Sequence, residues 1–427
     1  MNRAELKRRV CEAIDKNADR IIEIGDKVQN KPEMGYREFE TSALIKVQLE
    51  EMGIPYRDKL AVTGVKGTIK GKRSLATVAV LGEMDAVTCA THPLADPVSG
   101  ASHACGHNGQ IAAMLGAAIG LSAIKGELDG DVCFFAVPAE EFVEIGYREK
   151  LSERGDIKFF GGKQELIRIG EFDDIDMAMM VHAQGNCPEN TVCLDGGGIG
   201  FVAKTVNFIG KAAHAGGAPH EGINALNAAM AAMMCIHAQR ETFRDEDKIR
   251  VHPIITNGGE LVNVVPSLVT METYVRGATS DAIKDASAKV DRAIEGACFA
   301  IGAKCEIKNY KGYLPLVQDK ELSRVYERNA LMLPEPPTVR RDVDMTGSTD
   351  IGDLGHIMPI IQPTVGGFVG NLHAVEFAVA DKRRAYIDPA KTMAMAVIDL
   401  LSDGATEALA IKDSFKPLMT KEEYLNF

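Results

Sequence analysis

Three short runs in the first half of the chain are apolar at nearly every position and lack the alternation of a half-buried strand. They comprise residues 76–81, 132–137 and 177–181. Strands that are covered by helices on both faces have this pattern, so the runs predict a mixed, largely parallel sheet. Helical periodicity predicts two helices within residues 3–52 and another over 108–124, which would form part of the covering layers.

The pattern changes near residue 194, where Gly-rich segments and alternating strands begin, and a helix is predicted over 280–301. The α/β pattern returns near residue 314. We therefore predict an α/β fold with a three-layer α/β/α main domain and an inserted α+β domain. The predicted boundaries are 1–193 and 314–427 for the two parts of the main domain and 194–313 for the insertion.

Composition and charge exclude several classes of protein. Of the 427 residues, 46% are hydrophobic and 25% are charged, which is ordinary for a globular protein and excludes disorder and low complexity. The formal net charge of −12 disfavours nucleic-acid binding. The chain has neither the apolar core of a secretory signal nor an apolar stretch long enough to cross a bilayer. We expect a cytoplasmic protein without a membrane partner.

The cysteine pattern singles out one thiol. The chain has nine cysteines and no C-x-x-C pair, which argues against a disulfide framework, and we expect most of them to be buried. Cys105 stands two residues before His107, so the two side chains can face one point only in an extended turn. Asn108 is predicted to cap the following helix, whose dipole would favour the thiolate. Spacing alone leaves metal binding and a simple Gly-containing turn equally open.

Each of the three apolar runs is followed by an acidic or an imidazole side chain. Asp85 follows the first run, Glu140 and Glu141 follow the second, and His182 follows the third. Because ligands bind at the carboxyl ends of parallel strands, these residues could share one site, and His373 in a Gly-rich loop could join them. Each residue taken alone is more often a solvated or hydrogen-bonded loop residue. Cys, His and Glu together favour zinc or manganese.

Several segments, in order along the chain, match one family. The chain resembles the M20 metallopeptidase and amidohydrolase superfamily, in particular the aminoacylase-like branch marked by His-Ala-Cys-Gly-His, here residues 103–107. The other matching segments are residues 31–36, 83–86, 138–141, 210–215 and 263–266, together with His373. Within the branch, residues 172–176 and 347–353 are most similar to aminobenzoyl-glutamate hydrolases and related dipeptidases.

The resemblance implies a site for two divalent metal ions, manganese or zinc. Cys105 would bridge the two ions. His107 and His182 would complete the coordination of one ion, and Glu141 and His373 that of the other.

The resemblance also implies roles for residues that do not bind metal. Glu140 would be the general base and Asp85 would orient a metal ligand. The inserted domain would be a lid and dimerisation domain, in which His214, reaching across from a partner subunit, stabilises the oxyanion. Asn263 and Arg276 would hold the substrate, and the Arg276 guanidinium suits a carboxylate.

Two features depart from the family pattern. Gln110 occupies a position where related sequences have an apolar or a histidine residue. Residues 142–160 form an insertion directly after the two glutamates, and its charges favour a surface loop. The alternative is that this segment closes over the substrate and sets specificity.

We expect a homodimeric metal-dependent amidohydrolase or peptidase that cleaves the amide C–N bond of an N-acyl or aminoaroyl amino acid or of a dipeptide. One alternative is a hydrolytic deaminase of an aromatic amine or imidoyl substrate that uses the same two-metal site. A non-catalytic binding protein on the same fold and a cysteine hydrolase with Cys105 as nucleophile are further alternatives.

Overall fold

The structure is a computed structural model that describes residues 2–426. The helices are α1 (Arg3–Lys16), α2 (Ala18–Gln29), α3 (Phe39–Glu51), α4 (His107–Ser122), α5 (Ile145–Glu153), α6 (Gly162–Arg168), α7 (Ala225–Ala238), α8 (Ser280–Ile301), α9 (Lys320–Ala330), α10 (Ile351–Gly355), α11 (Asp388–Leu401), α12 (Thr406–Ser414) and α13 (Lys421–Asn426). Single helical turns span Pro219–Glu221, Arg240–Thr242, Asp245–Asp247 and Arg383–Ile387.

The strands are longest in the inserted region and short in the part of the chain that follows it. They are β1 (Tyr56–Leu60), β2 (Gly64–Ile69), β3 (Thr77–Glu83), β4 (Val87–Thr88), β5 (Ala101–Ser102), β6 (Asp131–Val137), β7 (Met177–Met179), β8 (His182–Ala183), β9 (Thr191–Leu194), β10 (Gly200–Ile209), β11 (Arg250–Val251), β12 (Ile254–Asn257), β13 (Leu268–Gly277), β14 (Lys304–Lys311), β15 (Thr338–Arg341), β16 (Ile360–Ile361), β17 (Thr364–Val365), β18 (Phe368–Val369) and β19 (Ala378–Val379).

The chain forms two compact units. Unit 1 comprises the residues up to Gly197, Val317–Asp344 and the residues from Asp350 onward. Unit 2 comprises Gly198–Leu316 and Met345–Thr349. The role of unit 2 as a lid and dimerisation domain stays a prediction.

The main sheet of unit 1 is mixed and largely parallel. Its strand order is β1-β2-β6-β3-β7-β16. Strand β3 pairs in parallel with β6 and β7, and β16 pairs in parallel with β7, whereas β1 and β2 form an antiparallel edge. The three apolar runs are strands of this sheet, which confirms the predicted α/β class. Helices α1, α2, α4 and α11 share one apolar core with the sheet.

The predictions for the N-terminal region and for the helix after the Cys-Gly-His turn need correction. The first 29 residues contain two helices, because Asn17 ends α1, donates its side-chain amide to the Ala13 carbonyl (2.8 Å) and begins α2. Helix α4 begins at His107, so Asn108 lies inside it rather than at its cap. The Asn108 amide donates instead to the Tyr386 hydroxyl (2.9 Å), which ties α4 to the core.

The insertion over residues 142–160 is not a surface loop, so that prediction is wrong. It contains α5, and its apolar side chains turn inward, because they can then leave water. The buried apolar residues of the segment are Phe142, Ile145, Leu151, Ile157, Phe159 and Phe160. The Arg148 side chain is buried among them.

Unit 2 is an α+β structure. Its antiparallel sheet has the order β11-β13-β10-β14, with β12 also paired to β13. Helices α7 and α8 share an apolar core with strands of this sheet, and α8 has the bounds that the sequence predicts. Among residues 2–426, no helix has both the length and the apolar character needed for a membrane span.

Candidate metal centre

Parallel strands bring the predicted metal-binding residues of unit 1 to one edge of the sheet. Strands β6, β3 and β7 are neighbours, so their carboxyl ends lie side by side. Glu140 and Glu141 follow β6, Asp85 follows β3, and His182 comes three residues after β7. Convergence at strand ends is the arrangement that the sequence predicts.

The turn before α4 directs Cys105 and His107 toward these strand ends. Gly106 lies between them in the left-handed conformation with φ of +80°, and a Cβ atom there would lie 2.5 Å from the Cβ of Ala183. Only glycine fits such a close approach at this φ. The turn therefore allows the thiol and the imidazole to face the same point.

Five predicted ligands gather in two groups that share one atom. Cys105 groups with His107 and His182, and it also groups with Glu141 and His373; within each group the candidate ligand atoms lie within 4.8 Å of one another. The Cys105 Sγ atom lies 3.5 Å from His182 Nε2 and 3.3 Å from His373 Nε2. His373 Nε2 lies 3.1 Å from Glu141 Oε1. A shared thiolate between two groups is the geometry expected of a bridging ligand.

The hydrogen bonds of the His107 and His182 rings use Nδ1 and leave Nε2 of each ring available to bind a metal ion. His107 Nδ1 donates to the Asp85 carbonyl (2.8 Å), and His182 Nδ1 donates to the Ala183 carbonyl (2.9 Å). In each neutral ring the lone pair then lies on Nε2, which faces the other ligands. His107 Nε2 and Glu141 Oε1 make no well-aligned hydrogen bond among residues 2–426, although each lies 3.1 Å from one potential ion-pair partner, Glu83 and His373 respectively. Poorly satisfied buried polar atoms, in a set of thiol, imidazole and carboxylate, fit divalent metal ions.

The local charges favour the thiolate form of Cys105. Burial and the Glu141 carboxylate raise the pKa of the thiol, but the positive charges of the protonated His182 and His107 rings outweigh them in the metal-free protein, so that its pKa lies at about 6. The thiolate is the form that binds metal.

The two adjacent glutamates experience opposite environments. Burial, together with the carboxylates of Glu83 and Glu141, raises the pKa of Glu140 well above its usual range. Burial also opposes ionisation of Glu141, but the His373 imidazole outweighs it and holds the pKa of Glu141 below its usual range. In acid–base sites, two neighbouring carboxyl groups often divide their roles in this way: one exchanges a proton and the other stays ionised. The contrast favours Glu140 as base and Glu141 as ligand.

The backbone that carries these glutamates is strained. Ala139 has φ of +53°, a left-handed conformation that costs about 1–2 kcal/mol for a residue with a Cβ atom. Two buried carboxylates hold it: Glu38 accepts from the Ala139 N–H and Asp85 accepts from the Glu141 N–H, each at 2.8 Å. Asp85 therefore contacts the backbone of one predicted ligand, and its carbonyl holds the ring of another. These contacts are compatible with its predicted orienting role.

A buried cluster of charges next to His107 was not predicted. The Lys163 ammonium lies 2.5 Å from Glu83 Oε1 and 2.5 Å from Asp350 Oδ1, and all three side chains are fully buried. The second oxygen of Glu83 lies 3.1 Å from His107 Nε2 and accepts from the Gln110 amide at 2.7 Å. Gln110, the departure from the family pattern, is thus part of this network. The one signal in the sequence was the acidic residue at 83, which directly precedes the Met-Asp pair.

The other three predicted site residues belong to unit 2. His214 and Asn263 are exposed and lie on neighbouring segments, because His214 forms a bridge with Val264. His214 Nδ1 accepts hydrogen bonds from the backbone N–H groups of Gly216 (3.1 Å) and Gly217 (2.9 Å). In the neutral ring the proton therefore lies on Nε2, which can donate.

Arg276 lies on β13, at a different place in unit 2. It is half-buried, and its guanidinium donates to the Ser348 hydroxyl at 2.8 Å. The rings of Phe201 and Tyr274 each lie 5.3 Å from the guanidinium carbon. Aromatic rings and a hydroxyl hold the guanidinium in one orientation, as a carboxylate-binding group requires.

Known proteins resemble the chain over most of its length. An Xaa-Arg dipeptidase from Mus musculus is 28% identical over 447 residues, covering 99% of this chain and 94% of that protein. An N-acetyl-L-cysteine deacetylase from Bacillus subtilis is 29% identical over 312 residues, covering 71% of this chain and 70% of that protein.

Solved structures share the fold. A dinuclear metal-binding peptidase of the M20 family from Bacillus subtilis superposes with a TM-score of 0.67 at 22% identity, covering 90% of this chain and 98% of the other. An aminobenzoyl-glutamate utilization protein from Klebsiella pneumoniae superposes with a TM-score of 0.68 at 18% identity, covering 92% and 99%. The sequence profile of peptidase family M20/M25/M40 matches residues 79–395. The chain therefore belongs to peptidase family M20/M25/M40 and is a metallohydrolase that acts on C–N bonds.

Proposed function

We propose that the protein hydrolyses the amide bond of a dipeptide, an N-acyl amino acid or an aminoaroyl amino acid at a site for two divalent metal ions. The observation that carries the proposal is the convergence of two ligand groups on Cys105, with Glu140 buried beside them. Cys105, His107 and His182 would hold one ion, and Cys105, Glu141 and His373 the other. Manganese and zinc suit this ligand set. When bound, the ions supply Lewis acidity that activates water and polarises the scissile carbonyl.

The residues of the chain would move the proton. The Glu140 carboxylate takes a proton from the attacking water, and the resulting carboxylic acid hands it to the leaving nitrogen, so that the C–N bond breaks as the amine departs. The raised pKa of Glu140 suits this exchange, since a base that holds its proton can deliver it in the next step. The His214 Nε2–H group would donate to the oxyanion, in the homodimer that the family resemblance implies.

The substrate class rests on Arg276 and on the similar proteins. A fixed guanidinium can bind the carboxylate of an amino acid at the leaving side of the amide. The names of the Xaa-Arg dipeptidase and the N-acetyl-L-cysteine deacetylase both describe such substrates. The free thiols of all nine cysteines are compatible with a reducing compartment. The exposed side chains of Met234, Val262 and Phe299 in unit 2 are compatible with self-association.

The neighbouring glutamates provide a matched test. We expect Glu140→Gln to keep its bound metal, measured by elemental analysis, and to lose at least about a hundredfold in kcat. Glu141→Gln should lose metal, because it removes a ligand. A Glu140→Gln enzyme with near-normal turnover would refute the general base.

A panel of dipeptides, N-acetyl amino acids and aminobenzoyl-glutamate, read by mass spectrometry, identifies the substrate. Amide hydrolysis gives two fragments from each substrate. Release of ammonia without fragmentation would instead support the deaminase alternative. Purified protein that takes up neither manganese nor zinc would support a binding protein.

A further inference from the structure

The insertion after the catalytic glutamates places one buried cation against their backbone. Arg148 lies in the middle of α5, and its side chain is about 1% exposed. Its guanidinium donates to the carbonyl groups of Ala139 (3.5 Å), Glu141 and Phe160. Two of these three carbonyls belong to the segment that carries Glu140 and Glu141.

The contacts of Arg148 complete a set of restraints on this segment. Glu38 and Asp85 hold its N–H groups at Ala139 and Glu141, as described above. Arg148 holds the carbonyl groups of the same two residues. Both polar groups of each residue are therefore fixed by buried polar side chains, and Glu140 lies between the two fixed residues. Such a clamp can keep the left-handed Ala139 conformation in place.

The surroundings leave the guanidinium little freedom. The rings of Tyr36 and Phe142 lie 5.4 Å and 5.6 Å from its central carbon. A Cβ atom on Gly35 would lie 2.7 Å from Arg148 Nη2 and 2.9 Å from the Cα of Ala139, so this glycine allows the preceding segment to pack directly against both. The Tyr36 hydroxyl donates to the Phe159 carbonyl at 3.2 Å, which joins this packing to the end of the insertion.

We propose that Arg148 is a positioning residue, which fixes the Ala139–Glu141 backbone so that the Glu141 carboxylate is directed toward Cys105 and His373. This inference rests on the proposed function, because it assigns Arg148 an effect on the metal ligand and on the base. It gives the insertion a role in building the metal centre. A lysine cannot replace the arginine fully, since it has one donor atom where the guanidinium has a planar fork.

The test uses Co²⁺ as a probe of the metal-free protein. Thiolate and imidazole ligands give Co²⁺ characteristic absorption bands, which report binding without any turnover. We expect Arg148→Lys to weaken the binding of one Co²⁺ equivalent by about 10- to 100-fold, the usual effect of losing a residue that orients a ligand. With the metal restored at saturating concentration, kcat should fall and KM should stay within about twofold, because substrate contacts are unchanged.

Arg154→Lys is the matched control, because Arg154 lies in the same insertion, is exposed and pairs with Asp156 (2.7 Å). It should bind Co²⁺ and turn over substrate as the wild type does. If Arg148→Lys does not fold, Arg148→Gln, which has a shorter and neutral side chain, can be titrated with Co²⁺ in the same way. A folded Arg148 variant that has lost only thermal stability, with wild-type Co²⁺ binding and kcat, would overturn the inference. Failure of the proposed function looks different: the wild-type protein would then bind no Co²⁺, or Glu140→Gln would remain active.

Discussion

The predicted metal ligands of unit 1 differ from two predicted site residues of unit 2, His214 and Asn263, in how they are held. His107 is fully buried, and the Asp85 backbone carbonyl accepts a hydrogen bond from its Nδ1 atom and so fixes the ring. His214 is exposed, and two backbone N–H groups of its own loop hold its ring. Asn263 is exposed as well. Four of the five predicted ligands are thus buried and the fifth, His373, is 52% exposed, whereas His214 and Asn263 both lie on a surface that substrate can reach.

The difference follows from what each group must do. Metal ligands must meet at one point before the ion arrives, so their rotamers have to be locked by packing and outer hydrogen bonds. A residue that donates to a substrate needs one correctly placed proton and an open approach, which the Nε2–H of His214 offers. Substitutions of the buried ligands of unit 1 should therefore change stability and metal binding together, and substitutions of the exposed His214 and Asn263 in unit 2 should change turnover alone.

The largest effect is expected at the buried lysine of unit 1. Lys163→Met would leave the carboxylates of Glu83 and Asp350 buried without their cation, which costs about 3–5 kcal/mol of unfolding free energy. Lys204 of unit 2 is also buried, but its partner Asp291 is 27% exposed and can be hydrated. We expect Lys204→Met to cost about 1–2 kcal/mol. Urea unfolding followed by circular dichroism measures both values.

A triple variant separates charge from packing. Adding Glu83→Gln and Asp350→Asn to Lys163→Met removes the uncompensated charges and should recover part of the lost stability. Equal losses for Lys163→Met and Lys204→Met would contradict the contrast between the two units.

The burial of Lys163 also shows what kind of feature could not be predicted from the sequence. Uninterrupted apolar runs predicted the parallel strands, because that pattern depends only on neighbouring residues. Lys163, however, can be buried because Glu83 and Asp350 pair with its charge. These two residues are 80 and 187 positions away in the chain. A lysine at the start of a short helix otherwise indicates a solvated end. No local pattern reveals such a distant partner.

The same limit explains the errors over residues 142–160 and at Asn108. The charges of the insertion indicated a surface loop, but Arg148 finds its partners in carbonyl groups, which every sequence has and no pattern marks. Asn108 follows a turn whose left-handed Gly106 caps the helix two residues before the position that the capping preference of Asn108 predicts. Cys105, His107, Glu141 and His373 could be proposed as ligands because they belong to segments that match a family, and His182 because it follows an apolar strand.

An intermediate effect is expected at His214. His214→Ala removes the Nε2–H donor, and kcat should fall by about 100-fold or more, as for the loss of one oxyanion donor. Metal content and the urea midpoint should stay unchanged, because the ring is exposed.

The resemblance implies that His214 acts across a subunit interface, which a mixing experiment can test. His214→Ala and Glu140→Gln protomers are each inactive in this scheme, but a mixed dimer would contain one complete site. Recovered activity after mixing is therefore expected. If the His214→Ala variant had wild-type kcat and unaltered metal content, His214 would not be the oxyanion donor.

The smallest effect concerns the pH dependence of metal binding in unit 1. The folded-state pKa of Cys105 is about 6, lowered from 9.0, so the thiolate is present above pH 6 and is lost as the pH falls through 6. The Glu141 carboxylate raises the pKa of His373 to about 11. Burial lowers the pKa of His107, but the Glu83 carboxylate outweighs it and holds that pKa well above its usual range, so the metal must displace a proton from both rings throughout this range. Below pH 6 it must displace the Cys105 proton as well. The affinity for Mn²⁺ should therefore fall more steeply below pH 6, by a further factor of up to about ten per pH unit, or about 1.4 kcal/mol.

Competition with a fluorescent chelator between pH 5 and pH 8 measures this change of slope, and two cysteine variants assign it. Cys105→Asp should bind Mn²⁺ without the steepening, because its carboxylate is already ionised at pH 6. Cys133→Ser should keep the steepening, since burial raises the pKa of that thiol to about 12 and it stays protonated over the whole range. A wild-type slope that stays constant through pH 6 would mean that the thiolate is not a ligand. The contrast between a pre-formed metal centre and an open substrate surface would then have to rest on the imidazoles and Glu141 alone.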